Sequence, residues 1–214
     1  MPRFQAAPLR VAAIGRTGRG DWGHTIDEVW RGLPGVDIVA LADESAEGLS
    51  KAVARHGLDP SAGFRDWRKM LADVKPDVVS ICMRHIDCHA EMAIAAVEAG
   101  AKGIFMEKPF VRTPAEADAV IAACRKTGTK LGIAFVNRHS AAYLAARDLI
   151  TEGRIGRVLE LRGRGKEDRR GGGEDLWVLG SHILDMMADL GGQPQWCMAS
   201  VTQQGRPITK ADLA

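Results

Sequence analysis

Residues 9–24 read Leu9-Arg10-Val11-Ala12-Ala13-Ile14-Gly15-Arg16-Thr17-Gly18-Arg19-Gly20-Asp21-Trp22-Gly23-His24. An apolar run that suits a buried strand passes directly into a turn rich in glycine. Ile26, Val29, Trp30 and Leu33 then recur at i, i+3, i+4 and i+7, which predicts a helix stopped by Pro34-Gly35. Strand, glycine-rich turn and helix is the context that a dinucleotide-binding turn requires. Glycines let the backbone turn tightly and approach a pyrophosphate, and a helix N-terminus offers free N–H groups and partial positive charge. Gly18-x-Gly20-x-x-Gly23 satisfies the fingerprint by spacing, yet Gly15 stands where the first glycine ordinarily ends the strand. The reading is an enlarged loop using Gly15, Gly18 and Gly20, with Thr17 and Arg19 among the cofactor contacts. On this motif alone, a plain glycine-rich turn is the competing reading.

The next apolar strand, Val36 to Ala42, ends at Asp43, where an acid is expected to bind the hydroxyls of the adenine ribose. A carboxylate there repels a 2′-phosphate and favours NAD. NADP stays open, because Arg16 and Arg19 can meet a phosphate. The alternative for Asp43 is a helix-start acid, since Ser45 and Glu47 lead into an alanine-rich helix ending near Gly57. Phe64-Arg65 precedes a helix with Trp67, Met70 and Leu71, and the run from Pro76 to Met83 reads as a fully buried strand. The helix from about Cys88 stops at Gly100, and strand 102–106 delivers Glu107-Lys108-Pro109. Thr113-Pro114-Ala115-Glu116 is a capping box with proline at the first helical position, and Gly128 ends that helix. A strand from Lys130 to Val136 leads to Asn137-Arg138. Strands alternating with helices predict an α/β fold with a doubly wound parallel sheet. In such sheets ligands bind beyond the carboxyl ends of the strands, which is where Glu107 and Lys108 fall.

The remainder differs in character. A helix from Ser140 to near Gly153, a strand over Arg157–Arg162, a helix carrying Leu179, His182, Ile183, Met186 and Leu190, and a strand from Trp196 to Val201 are expected. Between them lies a charged stretch, Arg164 with Lys166 to Arg170, read as a solvated loop or as an anion contact.

The 214 residues have a net charge of +2, which gives no support for a nucleic-acid or anionic-membrane surface. No apolar run reaches the length of a membrane span or signal core, so a cytoplasmic location is the default expectation. Cys82, Cys88, Cys124 and Cys197 are scattered and read as reduced thiols. His85 and His89 are spaced for zinc on a helix, but no third ligand accompanies them, so no metal is expected.

The turn Gly15 to His24, Asp43, His89-Ala90-Glu91 opening a helix, Glu107-Lys108-Pro109, Gly171-Gly172-Gly173 and Gly180-x-His182-x-x-Asp185 occur in an order that resembles the Gfo/Idh/MocA oxidoreductases, the glucose–fructose oxidoreductase and inositol 2-dehydrogenase family. The resemblance implies a Rossmann domain over residues 1–137 and a truncated, incomplete α+β domain over residues 138–214. It implies hydride transfer between a nicotinamide and a sugar, polyol or related hydroxy compound. Lys108 maps to the lysine between nicotinamide and substrate, and His182 to the proton acceptor. Arg84, His85, His89 and Glu107 fall among the cofactor contacts. Asn137, Arg138 and Asp185 fall on the substrate side, with Asp185 placed to orient the His182 ring.

Three departures accompany the resemblance. Val178 stands where the family usually has an aspartate, with Glu174 and Asp175 as substitutes if the glycine loop folds back. Arg84-His85 replaces a usual proline. The chain is short for the family's second sheet, which would leave an unpaired edge and favour self-association into a homo-oligomer. A nucleotide-binding relative with weak or no redox activity, and a non-enzymatic fragment that contacts a partner, are the competing readings.

Overall fold

The computed structural model describes residues 7–165 and 178–209. Its contacts divide the chain into two units, with the division between Ala134 and Phe135. The first unit is a six-stranded parallel sheet in the order β3-β2-β1-β4-β5-β6, formed by β1 (Leu9–Ile14), β2 (Val36–Ala42), β3 (Gly63–Phe64), β4 (Val78–Ile81), β5 (Gly103–Met106) and β6 (Lys130–Ile133). The strand order reverses at β1, where β2 lies on one side and β4 on the other. That switch point opens a crevice at the carboxyl ends of the strands. The expected doubly wound sheet is present.

Central parallel strands are covered on both faces and so read as unbroken apolar runs. Val11, Ala12, Ala13 and Ile14 of β1 are at most 1% exposed, and Val79 and Ile81 of β4 are fully buried. One face packs with α2 (Trp67–Val74), α3 (His89–Glu98) and α4 (Pro114–Thr127) through Met70, Met92, Ala96 and Val120. The other face carries α1 (Ala46–His56) with Trp22 and Ile26. Helix limits follow local chemistry. Ser45 Oγ accepts the Gly48 N–H at the start of α1, and Thr113 Oγ1 accepts the Glu116 N–H at the start of α4. Gly57 and Gly128 end these helices in left-handed conformation.

The helix expected after the glycine-rich turn does not form. Residues 22–27 are turns, followed only by a short 3-10 segment, Glu28–Trp30. Asp21, Gly23 and Thr25 all have positive φ, and a right-handed helix cannot run through such residues. The predicted stripe is split accordingly: Ile26 is buried, while Val29 and Leu33 are each 46% exposed.

The second unit has a 3-10 segment (Val136–His139), α5 (Ala141–Thr151), α6 (Gly180–Gly191) and a two-stranded antiparallel hairpin, β7 (Thr202–Gln203) with β8 (Arg206–Pro207). Tyr143 on α5 donates to Asp189 on α6 at 2.7 Å. The strands expected over Arg157–Arg162 and Trp196–Val201 are absent. A strand exists only where a neighbour completes its ladder, and among the described residues neither segment has one. Their apolar side chains stay outside, with Leu159 and Trp196 each 81% exposed. Gly171 to Gly173, Glu174, Asp175 and the charged residues from Lys166 to Arg170 lie outside the described residues.

The loop glycines differ in what surrounds them, which sets a stability ranking. A Cβ on Gly18 (φ +82°) would meet open space, whereas one on Gly23 (φ +62°) would stand 2.2 Å from the Cys82 carbonyl oxygen. Gly18→Ala is expected to lose about 1–2 kcal/mol from the left-handed backbone alone. Gly23→Ala adds overpacking of about 1–3 kcal/mol or more. Urea unfolding of the two variants checks the order, and equal losses would contradict it.

Candidate functional site

The glycine-rich turn is a small hairpin closed on itself. Arg16 and Asp21 exchange both backbone hydrogen bonds at 2.9 Å, and the Gly18 N–H donates to Asp21 Oδ1 at 2.8 Å. Glycine is needed here for approach to the protein's own atoms. A Cβ on Gly15 would lie 2.3 Å from the Trp22 indole, and one on Gly20 would lie 2.6 Å from the Arg84 amide nitrogen. The enlarged loop of Gly15, Gly18 and Gly20 is therefore present. It rests on the segment after β4, bringing Gly20 against the backbone of Arg84 and His85, whose side chains are exposed.

Two arginines tie the same loop down. Arg16 Nη1 lies 3.2 Å and Arg19 Nη2 3.1 Å from Asp87 Oδ2. Burial alone would raise the Asp87 carboxyl, but Arg19 and Arg16 outweigh it and hold the group below its usual range. Cys88 also meets Arg16 Nη1, at 3.2 Å. Burial, and then the Asp87 charge, push its thiol up, which argues against a reactive thiolate.

Asp43, at the end of β2, is 2% exposed. Its oxygens accept the Thr17 N–H, the Thr17 hydroxyl at 2.6 Å and the Ser45 N–H at 2.9 Å. Thr17 thus becomes a partner of Asp43. His89, expected beside the cofactor, is fully buried and serves as a staple. Its Nε2 lies 2.8 Å from the Met83 carbonyl, and its Nδ1 3.0 Å from that of Phe110. Both ring nitrogens thus face main-chain carbonyls. Among the described residues no group of three His, Cys, Asp or Glu side chains could hold a metal ion.

At the end of β5, Glu107 and Lys108 are 1% and 3% exposed, so this charged strand end is buried. Glu107 Oε1 lies 3.0 Å from His24 Nδ1, while its buried Oε2 has no hydrogen-bond partner among the described residues. His24 was not legible as a partner, since nothing local signals a contact across 83 residues. The Asp27 cluster was equally hidden. Asp27 is fully buried and accepts from Arg55 and from His56 Nε2 at 2.8 Å. Arg55 also lies over the Trp22 ring at 5.6 Å. Burial would raise the Asp27 carboxyl, but hydrogen bonds from His56 and Arg55 prevail and lower it.

In the second unit, Arg138 forms a two-point pair with Asp185, Nε to Oδ2 at 2.7 Å and Nη2 to Oδ1 at 2.6 Å. The His182 ring meets Phe135 edge-on at 5.8 Å, and Asn137 is exposed in the 3-10 segment.

A narrow crevice of about 10 Å³ lies at the carboxyl ends of β1 and β2, lined by Gly15, Arg16, Asp43, Glu44, Arg65 and Trp67 among others. Asp21 Oδ1 holds the Gly18 N–H, a donor of the kind that a glycine-rich turn offers to a phosphate.

Residues 9–135 match the model of the oxidoreductase family with an NAD-binding Rossmann fold, Gfo/Idh/MocA. The chain belongs to the Gfo/Idh/MocA family. A levoglucosan dehydrogenase from Pseudarthrobacter phenanthrenivorans is 33% identical over 169 residues, 72% of this chain and 42% of that protein. The myo-inositol 2-dehydrogenase structure from Lactobacillus plantarum superposes with a TM-score of 0.70 at 22% identity, covering 86% of this chain and 56% of that one. A scyllo-inositol dehydrogenase from Lactobacillus casei, with bound NAD(H) and scyllo-inositol, gives 0.60 at 19% identity over 70% of this chain and 42% of that one. The chain spans about half the length of these family members. Among the described residues no helix is long and apolar enough to cross a membrane.

Two outcomes follow. Asp27 is held below its ordinary value, so its contribution is complete above about pH 4 and is lost as pH falls through the depressed folded value. The urea midpoint of the native chain is expected to fall more steeply below about pH 4 than that of Asp27→Asn, and parallel profiles would refute this. Replacing Asp21 by Asn removes a negative charge beside the entering pyrophosphate. NAD is expected to bind several-fold tighter, on the order of 1 kcal/mol for one nearby charge in water, as read by fluorescence titration.

Proposed function

We propose that this chain binds NAD at the carboxyl edge of its parallel sheet and carries the reaction face of a dehydrogenase acting on a sugar, polyol or related hydroxy compound. The observation that carries this is the buried Glu107-Lys108 pair at the end of β5, on the same strand edge as the switch-point crevice. A buried ionisable side chain at the carboxyl edge of a parallel sheet, where ligands bind, is a candidate for the reacting site. The relatives' printed names, levoglucosan dehydrogenase and inositol dehydrogenases, support the substrate class.

The crevice residues would hold the adenosine end, and the loop from Gly15 to Gly20 together with Arg84 and His85 would border the phosphates. The nicotinamide supplies the hydride chemistry when bound. Lys108 Nζ donates a hydrogen bond to the substrate hydroxyl oxygen and stabilises the negative charge that grows on it as its proton leaves. Glu107, anchored by His24, fixes the strand end from which Lys108 projects. His182 is the proposed proton acceptor, since a neutral imidazole can take the hydroxyl proton near neutral pH.

A second reading is a nucleotide-binding relative with weak catalysis. Val178 favours it, because an apolar side chain can neither share a proton nor bind a hydroxyl. The test is NADH formation over a panel of sugars and polyols, paired with NAD titration. Lys108→Ala is expected to lower turnover by about 10²–10⁴-fold while NAD affinity changes little. Binding without turnover by the native chain would select the second reading, and absence of binding would remove both.

A further inference from the structure

Helix α6 is gripped on two faces. On the polar face His182, Asp185 and Asp189 stand at i, i+3 and i+7, so they share one side of the helix. Residues 135–143 meet them in the same order along the chain. Phe135 meets the His182 ring edge-on, with centroids 5.8 Å apart. Arg138 grips Asp185 through Nε and Nη2, at 2.7 and 2.6 Å, and Nη2 also donates to the Asp185 carbonyl at 3.2 Å. Its remaining nitrogen, Nη1, lies 3.7 Å from Asp189 Oδ1. Tyr143 donates to Asp189 Oδ2 at 2.7 Å. Burial and the Asp189 bond push the Tyr143 phenol up to about 12, so it stays a donor near neutral pH.

The opposite face is held by close packing. A Cβ on Gly163 would stand 2.3 Å from Ile183 Cγ2 and 2.9 Å from Met187 Sδ, and one on Gly191 would stand 3.1 Å from Leu161 Cδ1. Apolar contact is non-directional, whereas a two-point guanidinium–carboxylate pair sets both position and angle. A slip of α6 by one residue would turn each of its side chains by about 100°, and the fork of Arg138 on Asp185 opposes that slip.

We propose that Arg138 is a positioning residue: by clasping Asp185, one helical turn beyond His182, it fixes the rotation of α6 and holds the His182 imidazole edge-on to Phe135. This rests on the reading of His182 as the proton acceptor. Arg138 serves the reaction through His182 and not by touching the substrate, since its three nitrogens already face acids of α6. Lysine does not replace it, because a point charge cannot make the two-point pair.

The test follows the His182 ring protons by NMR in the full chain, assigned by their loss in His182→Gln. Urea unfolding, NAD titration and kinetics with levoglucosan or myo-inositol are measured in parallel. Phe135→Leu is expected to remove the ring-current displacement of the His182 signals, which sets the scale. Arg138→Lys is expected to move the same signals in the same direction and to lower kcat by about 10- to 100-fold, with KM and the Kd for NAD in place. Asp185→Asn is expected to do the same, and the double variant to lose no more than either single one. A raised KM in Arg138→Lys with unmoved His182 signals makes Arg138 a substrate contact and overturns the proposal. A lowered urea midpoint with unmoved signals makes the clasp merely structural and overturns it as well. If the native chain turns nothing over, the catalytic reading of His182 fails by itself. The signals in Arg138→Lys then still decide the clasp: displaced, they support it, and unmoved, they overturn it.

Discussion

A buried carboxylate with donors on both of its oxygens holds the switch point together. Asp43 sits at the end of β2, between the loop after β1 and the first turn of α1, and takes donors from both. A carboxylate buried without such partners would destabilise the fold by several kcal/mol, so the charge must be matched by donors already in place. Thr17 and Ser45 provide them, and Gly48 leaves the room. The three residues act as a unit: removing a donor, or adding a methyl at position 48, leaves the charge short of partners. The adjoining crevice has a fixed wall for the same reason.

A second buried acid anchors the far side of the loop. Asp27 binds Arg55 and His56 at the end of α1, and Arg55 in turn covers Trp22, which lies against the bare Cα of Gly15. The loop is therefore held at both ends by charge and in the middle by an indole. This explains how the chain dispenses with the helix that ordinarily follows such a turn. Left-handed residues at Asp21, Gly23 and Thr25 break the helix, and the ion pairs replace its rigidity. They also leave the loop's own carboxylate, Asp21, where a ligand phosphate would sit.

Family membership and local geometry agree on the strand edge and differ on individual residues. Glu107 and Lys108 are buried where a reaction face belongs. His89 and Asp43, which occupy family motif positions, are absorbed by the architecture. A motif position records where a residue stands along the chain. Whether its polar atoms remain available depends on what the rest of the chain places against them, and here neighbouring loops claim them first.

The parallel sheet and the carboxyl-edge location of Lys108 were legible along the chain. Apolar runs, caps and stop glycines act within a few residues, and a parallel sheet follows from their alternation. The strands expected near Leu159 and Trp196 were misread because an apolar run becomes a strand only beside a partner. Partnership of polar groups was beyond local reading for the same reason. Thr17 meets Asp43 across 26 residues, His56 meets Asp27 across 29 and His24 meets Glu107 across 83. Local periodicity decides which elements form, because it sets which face must leave water. Only the packed chain decides which acid is held from within, because that depends on donors brought from distant segments.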